Sequence, residues 1–309
     1  MAELAETNLQ ALEFHCMKTK PFFAAIVFLS MVCASNASAQ VDESPNPTAE
    51  PPKVLLLVHQ EFRFGKAGQR RKLEVAVSRA CEHLNVPNDW IDLESISGPP
   101  EALFFDPFDS FDQVDTAFTG WGRIFAAHLE LARIQQEIKA LVTSERTIIA
   151  VRRDDLGYRP QSIDLSKARF LRVLEVRLNP GHESDFVEAF RILSAAYEKI
   201  NADTPWVVYQ VDVGMPSPAF LVVVPLRALK QNGDLLNWRK SLREAEGEDS
   251  AHQTEQIARE AYASTESNLY VISPETSHVS KDFAEGDPEF WSPKRFPAPK
   301  PPTGKDAKP

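Results

Sequence analysis

Residues 170–178 read FLRVLEVRL, the break Asn179-Pro180-Gly181-His182 follows, and residues 183–200 read ESDFVEAFRILSAAYEKI. The first run mixes β-branched and apolar residues and predicts a strand, which the Pro-Gly pair ends. In the second, Phe186, Phe190, Leu193, Tyr197 and Ile200 recur at steps of four and three, so they share one face at 3.6 residues per turn. Glu183, Glu188, Arg191 and Lys199 fall on the opposite face, so the spacing predicts an amphipathic helix. After Asn201-Ala202-Asp203, Trp206 to Val213 and Phe220 to Leu226 are two further β-rich runs, split by the hairpin-type loop Gly214-Met215-Pro216-Ser217-Pro218. The stretch therefore reads strand, helix, strand, strand.

Working outward, the earlier half of the chain follows the same plan. Leu73, Val77, Ala80 and Leu84 form a corresponding helical stripe, and Asn85 and Trp90 precede Asn201 and Trp206 by 116 residues each. Pro107 to Phe111 parallels Pro225 to Leu229 at 118, Trp121 parallels Trp238 at 117, and Ser144 to Val151 parallels Thr265 to Ile272 at 121. Matches in one order, with offsets that drift by a few residues, point to an internal duplication whose loops have changed length. Repeat one spans 54–153, with strands predicted over Val54–Phe64, Trp90–Ile96, Ala102–Phe108 and Thr147–Arg152. Its helices are predicted over Gln69–Leu84 and Trp121–Val142, the latter on the stripe Ile124, His128, Leu131, Gln135, Ile138 and Leu141. Residues 154–168 connect the halves and repeat two spans 169–273. The Pro- and Lys-rich tail 274–309 is expected to be largely disordered, with Phe283, Phe290 and Trp291 as its possible anchors on the domain.

The N-terminus carries a different signal. Lys18 and Lys20 precede an apolar run from Phe22 to Ala34, then Ala37-Ser38-Ala39 ahead of Gln40, which is the three-part layout of a secretory signal peptide over residues 1–39. It starts most naturally at Met17. About 13 apolar residues fall short of the roughly 20 that span a bilayer, so no stable membrane insertion is expected after cleavage. Residues 40–53, with four prolines between Val41 and Pro52, read as a flexible linker. A periplasmic or secreted location follows as an expectation. Cleavage removes Cys16 and Cys33 and leaves Cys81, so no intramolecular disulfide is available, and Cys81 beside an apolar stripe reads as a buried, inert thiol. A net charge of −10 and the lack of a basic face with interleaved aromatics argue against nucleic acid as a partner.

Strand–helix–strand–strand–helix–strand is the ferredoxin-like plan, giving an α+β fold class. With two such units in tandem, the runs around Arg177 to Leu226, the Pro-Gly before the helix, and Trp121 and Trp238, the sequence resembles the dimeric α/β-barrel superfamily in a fused form. The resemblance covers about residues 54–273. It implies two units packed as a pseudo-twofold barrel, and a monomer, because the partner that single-unit members recruit is already present. That superfamily holds cofactor-free monooxygenases, haem-handling enzymes and members without known chemistry, and none of its haem-ligand patterns can be placed on this chain.

The most specific polar signal lies in the two first strands, where Glu61-Phe62-Arg63 and Glu175-Val176-Arg177 match. Alternate residues share a strand face, so His59, Glu61 and Arg63 are predicted to point together into the barrel while Phe62 and Phe64 pack under the helices. Two readings stay open for this set: a polar cavity with a titratable histidine, or ion pairs that fix how the halves dock. His59 and His128 are the candidate catalytic residues; Glu61, Arg63, Glu175, Arg177 and Tyr209 are the candidate ligand contacts. The six histidines left after cleavage form no close metal-ligand spacing, so neither a metal site nor a cofactor is expected. Nucleotide and serine-hydrolase motifs are absent from the sequence. The favoured functional reading is an exported protein that binds a small ligand or a partner without catalysis. The alternative is a cofactor-independent monooxygenase-like enzyme using a pocket histidine.

Overall fold

Strand β1 (Val54–Phe62) opens the fold in the computed structural model, which describes residues 49–292 except 237–239, 241, 242 and 246. Helix α1 (Ala67–Leu84), β2 (Ile91–Ser95), β3 (Glu101–Phe108), α2 (Phe111–Ala127), α3 (Leu129–Lys139) and β4 (Val142–Arg152) follow. Two short 3-10 turns, Pro160–Ser162 and Leu165–Lys167, lead to β5 (Phe170–Leu178), α4 (Glu183–Lys199), β6 (Val207–Val213) and β7 (Ala219–Leu226). Then come α5 (Lys230–Leu236), α6 (Glu248–Ala261), β8 (Tyr262–Ile272), α7 (Lys281–Glu285) and α8 (Pro288–Trp291). Residues 1–39, where a signal peptide is expected, residues 40–48, Trp238 and residues 293–309 lie outside the described residues.

The eight strands form a closed barrel in the order β1-β3-β2-β8-β5-β7-β6-β4, with β4 pairing back to β1 and each neighbouring pair antiparallel. Closure leaves no strand edge unpaired. Eight strands enclose a space that side chains just fill. Here Leu55, Leu57, Leu103, Phe105, Ile148, Leu171, Tyr209 and Leu221 fill it as parts of one buried cluster, each supplied by the inward phase of its strand. The outward phase packs under helices: Val176, Phe220 and Val222 meet Phe186, Phe190 and Tyr197 of α4, and Phe104 meets the α1–α3 layer around Val77, Cys81 and Ile134.

Several sequence expectations change. The helix expected over Trp121–Val142 is two helices, because His128 leaves the helical region at φ −124°, ψ 83°. The first of them starts ten residues earlier, where Ser110 caps it: Ser110 Oγ accepts from the Gln113 N–H, and Gln113 Oε1 accepts from the N–H of the preceding Asp109 at 2.8 Å. Phe64 lies beyond β1 and is exposed, not packed under a helix, since the strand ends at Phe62. On α1 the buried face is Arg70, Glu74, Val77 and Cys81, and Leu84 is exposed. The stripe is displaced because Arg70 reaches under the helix to Asp92 on β2, with 2.9 and 2.8 Å hydrogen bonds to its two carboxylate oxygens. Its guanidinium lies between the rings of Phe62 and Phe104 at 4.8 and 5.3 Å.

The expectation of a largely disordered tail is corrected for residues 274–292. His278 bridges to Trp90, Trp90 Nε1–H donates to the Thr276 carbonyl at 2.9 Å, and α7 and α8 bring Phe283 and Trp291 into the barrel cluster. Trp291 Nε1–H donates to the Ser166 carbonyl at 2.7 Å. Phe283 and Trp291, two of the anchors named from the sequence, are the residues that dock: two buried aromatics and the backbone bridge are enough to hold a Pro-rich segment once a surface for it exists.

Candidate functional site

One mouth of the barrel is apolar and closed by Leu165, Phe283 and Trp291; the opposite mouth is polar. At the polar mouth the inward phase of β1, β3, β4 and β5 changes from aliphatic to polar, as Leu57 gives way to His59, Leu103 to Glu101, Ile148 to Arg146 and Val173 to Glu175, and on β8 Tyr270 gives way to Asn268. His59 Nε2 lies 2.6 Å from Glu101 Oε2, and the Glu101 side chain is only 1% exposed. Tyr270 Oη–H donates to the other Glu101 oxygen at 2.5 Å, and Asn268 Nδ2 donates to it at 3.3 Å and to Glu266 at 2.8 Å. Arg146 Nη2 reaches across to Glu175 Oε2 at 3.1 Å and to His59 Nδ1 at 3.3 Å.

A guanidinium only donates, so His59 Nδ1 accepts from Arg146 and Nε2–H donates to Glu101, which assigns the neutral Nε2–H tautomer in this arrangement. Burial works against a charged His59, but the Glu101 carboxylate outweighs it and raises the pKa above the ordinary imidazole value. A second proton would sit on Nδ1 and would turn Arg146 away toward Glu175. For Glu101, burial acts upward, yet the bonds from His59 and Tyr270 hold its pKa below the usual carboxylate range. Glu175 is raised by burial despite Arg146. The mouth is therefore an acid–base pair, His59 and Glu101, with a cation that can move between two acceptors.

Of the sequence candidates, this site brings together His59 and Glu175, joined through Arg146. Glu61 is half-buried at the end of β1, opposite Glu101 and Ser144 in register. Arg63 is exposed beyond the strand end, and Arg177 is half-buried beside Ser264. Tyr209 is fully buried in the barrel interior, edge-on to Phe105, and its hydroxyl has no partner among the described residues. His128 sits at the α2–α3 junction outside the barrel, so it is not near His59. Glu101, Arg146, Asn268 and Tyr270 escaped the sequence reading. Each shares its strand phase with a buried residue two positions away, Glu101 with Leu103, Arg146 with Ile148, Asn268 with Tyr270 and Tyr270 with Ile272, but only the register across the closed barrel shows that they meet.

At the closed mouth a cavity of about 10 Å³ lies among Trp90, Phe105, Pro107, Leu165 and Phe283, room for roughly one water. No group of three or more metal-ligating side chains suited to a metal ion occurs among the described residues.

No protein-family model matches this sequence, and no curated protein matches it. Among solved structures, an anthrone oxidase-like protein aligns with a TM-score of 0.46 at 11% identity, over 74% of this chain and 94% of that one. Chlorite dismutase from Candidatus Nitrospira defluvii, in complex with imidazole, aligns with a TM-score of 0.44 at 10% identity, over 72% of this chain and 92% of that one. Similarity at this level bears on neither family nor activity. The fold defines the class of protein: a mixed α+β chain built on a closed eight-stranded antiparallel barrel.

Proposed function

We propose that this chain is an exported, internally duplicated α/β-barrel protein that binds a small ligand or partner at its polar mouth and performs no chemistry inside the barrel. The observation that carries the reading is the filled interior: Leu55, Leu57, Leu93, Leu103, Phe105, Ile148 and Leu221 are at most 1% exposed, in the space where an enclosed substrate would sit. Binding is left to the rim, where Arg146 and Glu175 remain partly exposed. Duplication into two ferredoxin-like units has three supports. The order β4-β1-β3-β2 of the first half recurs as β8-β5-β7-β6 in the second. Register shifts fall at Glu61/Phe62 and Arg177/Leu178, equivalent positions in the two first strands. Trp206 bridges Tyr158 as Trp90 bridges His278. Export rests on the N-terminal sequence; no helix among the described residues is long and apolar enough to cross a membrane. A monomer that does not engage nucleic acid completes the reading.

A second reading is favoured by the 2.6 Å His59–Glu101 pair, which Tyr270 braces from the other carboxylate oxygen. This is the arrangement of an oriented acid–base histidine, and it would serve a cofactor-independent oxygenase-like enzyme. Mass spectrometry of gently purified secreted protein, in intact and native form, tests both. A mature chain starting near Gln40 with a co-purifying ligand that is released unchanged supports binding. Turnover of that ligand, abolished by His59→Ala with the fold intact, overturns it in favour of the enzyme. A mature chain that retains Phe22 to Ala34 overturns the export reading.

A further inference from the structure

Every strand of the barrel has a neighbour on each side, but at the polar mouth β8 outruns one of its two. Its pairing with β5 extends from Val271 to Tyr262, whereas β2 pairs with it only as far as Ser95, opposite Tyr270, and then turns away. The last bonds on that side run from Ile96 N–H to the Leu269 carbonyl and from Leu269 N–H to Ser97 Oγ, both at 2.9 Å. Backbone groups alternate between the two sides of a strand: Ile272 N–H donates to the Arg169 carbonyl at the start of β5, while Leu269 and Ser273 face β2. Thr265 and Ser267 therefore aim their N–H and C=O groups at the side where β2 has ended. Residues 263–267 are exposed, and apart from Glu266 their side chains are small. An open stretch of this kind is a template for one more strand.

Charge selects what fills it. The inward phase at this mouth carries Glu61, Glu101, Glu175 and Glu266 against Arg146 and Arg177. Glu175 and Glu266 are direct partners across β5 and β8, a like-charge pairing that destabilises a sheet. Arg146 answers Glu175 at 3.1 Å, but Glu266 accepts the Asn268 amide at 2.8 Å and has no ion-pair partner among the described residues. A strand added beside β8 places alternate side chains on the inward face next to Glu266, where Lys or Arg relieves the repulsion. Its other side chains lie beside Thr265 and Ser267, near the exposed Ile96, a setting that suits Val or Thr. The corresponding edge of β4 differs, because Gly214 closes against the Thr147 carbonyl and the inward residue there is Arg146.

We propose that the open edge of β8, residues 263–267, docks an extended peptide of a partner protein that carries Lys or Arg at alternate positions, added antiparallel to β8. The inference rests on the reading of the polar mouth as a binding surface and names the chemistry of the partner. The test is fluorescence anisotropy of the full purified chain with two blocked, labelled peptides, TKVKVKT and TEVEVET. The first should bind at least about tenfold tighter than the second, the worth of one or two charge contacts. In the register that sets a lysine opposite Glu266, the valine N–H groups point at Thr265 and Ser267 and the lysine N–H groups point to solvent. Methylating the backbone nitrogens of both valines should therefore abolish binding, and methylating those of the lysines should leave it within about twofold. Thr265→Pro removes one edge donor without touching the ladder to β5 and should cost about tenfold. Glu266→Lys should reverse the preference between the two peptides. If either variant loses its thermal transition, the methylated peptides still decide, since they leave the protein unchanged. Binding that ignores which nitrogens are methylated would overturn strand addition and leave the mouth as a charged surface only. No binding of TKVKVKT at about 1 mM would overturn the peptide partner, while the ligand search by native mass spectrometry judges the mouth separately.

Discussion

Replacing Arg70 with methionine should cost this protein more than replacing the carboxylate it binds. Arg70 and Asp92 are 3% and 0% exposed, and Glu74, also buried, lies 3.8 Å from the guanidinium. Burial pushes Glu74 up to about 8 in spite of Arg70, so its carboxyl group sits near its titration point around neutral pH. Arg70→Met leaves the Asp92 carboxyl group buried in an apolar layer without its cation, a situation that costs about 3–5 kcal/mol. Asp92→Asn, by contrast, leaves Arg70 with Glu74 at 3.8 Å and Glu94 at 3.9 Å, and the Glu74 carboxyl can ionise to share the pairing. That loss should stay near 1–2 kcal/mol, the scale of imperfectly replaced hydrogen bonds. Total stabilities are about 5–15 kcal/mol, so the first variant should lower the urea midpoint by on the order of 1 M or more and the second by well under half of that. Urea unfolding followed by tryptophan fluorescence and by circular dichroism provides the measurement. Equal losses in the two variants, or a loss below about 1 kcal/mol for Arg70→Met, would refute the idea that Glu74 is a standby counter-ion.

Tyr209→Phe removes a buried hydroxyl without a partner and should leave thermal stability unchanged or raise it by about 1 kcal/mol; a clear loss would mean that the hydroxyl is bonded in solution. Gly214→Ala should destabilise by about 2 kcal/mol or more, since Gly214 has φ +99° and a Cβ there would collide with the Thr147 carbonyl oxygen in β4; a neutral result in thermal melts would contradict that contact. Burial pushes Asp106 up to about 8 and Asp89 up to about 7. A carboxyl group with a raised folded-state pKa binds its proton more tightly when folded, so stability should decline as pH rises from about 4 to about 8 and level off above. Asp106→Asn should flatten part of that decline; an unchanged slope in pH-dependent urea unfolding would show that Asp106 titrates normally.

Much of the architecture is legible in short-range pattern, because strand and helix periods are properties of consecutive residues. The runs 170–178, 207–213 and 219–226 alternate or cluster as strands must, and the stripe Phe186, Phe190, Tyr197 marks the buried face of α4. Period two along β1 likewise puts His59 in phase with Leu55 and Leu57, but the unbroken apolar run Val54 to Val58 leaves the inward phase to be decided by the packing. What alternation cannot supply is the neighbour across the barrel. Glu101, Arg146 and Tyr270 come from three other strands, 42, 87 and 211 positions from His59, and closure alone brings them together. The same limit explains α1, where charge at Arg70 and Glu74 reads as solvent-facing until Asp92 is found beneath the helix. It also explains residues 274–292, whose composition offers no core and whose order comes from a surface built by residues far earlier in the chain. Local periodicity reflects the geometry of one segment, whereas a buried charge or a docked strap is stabilised by a partner that only the tertiary structure delivers.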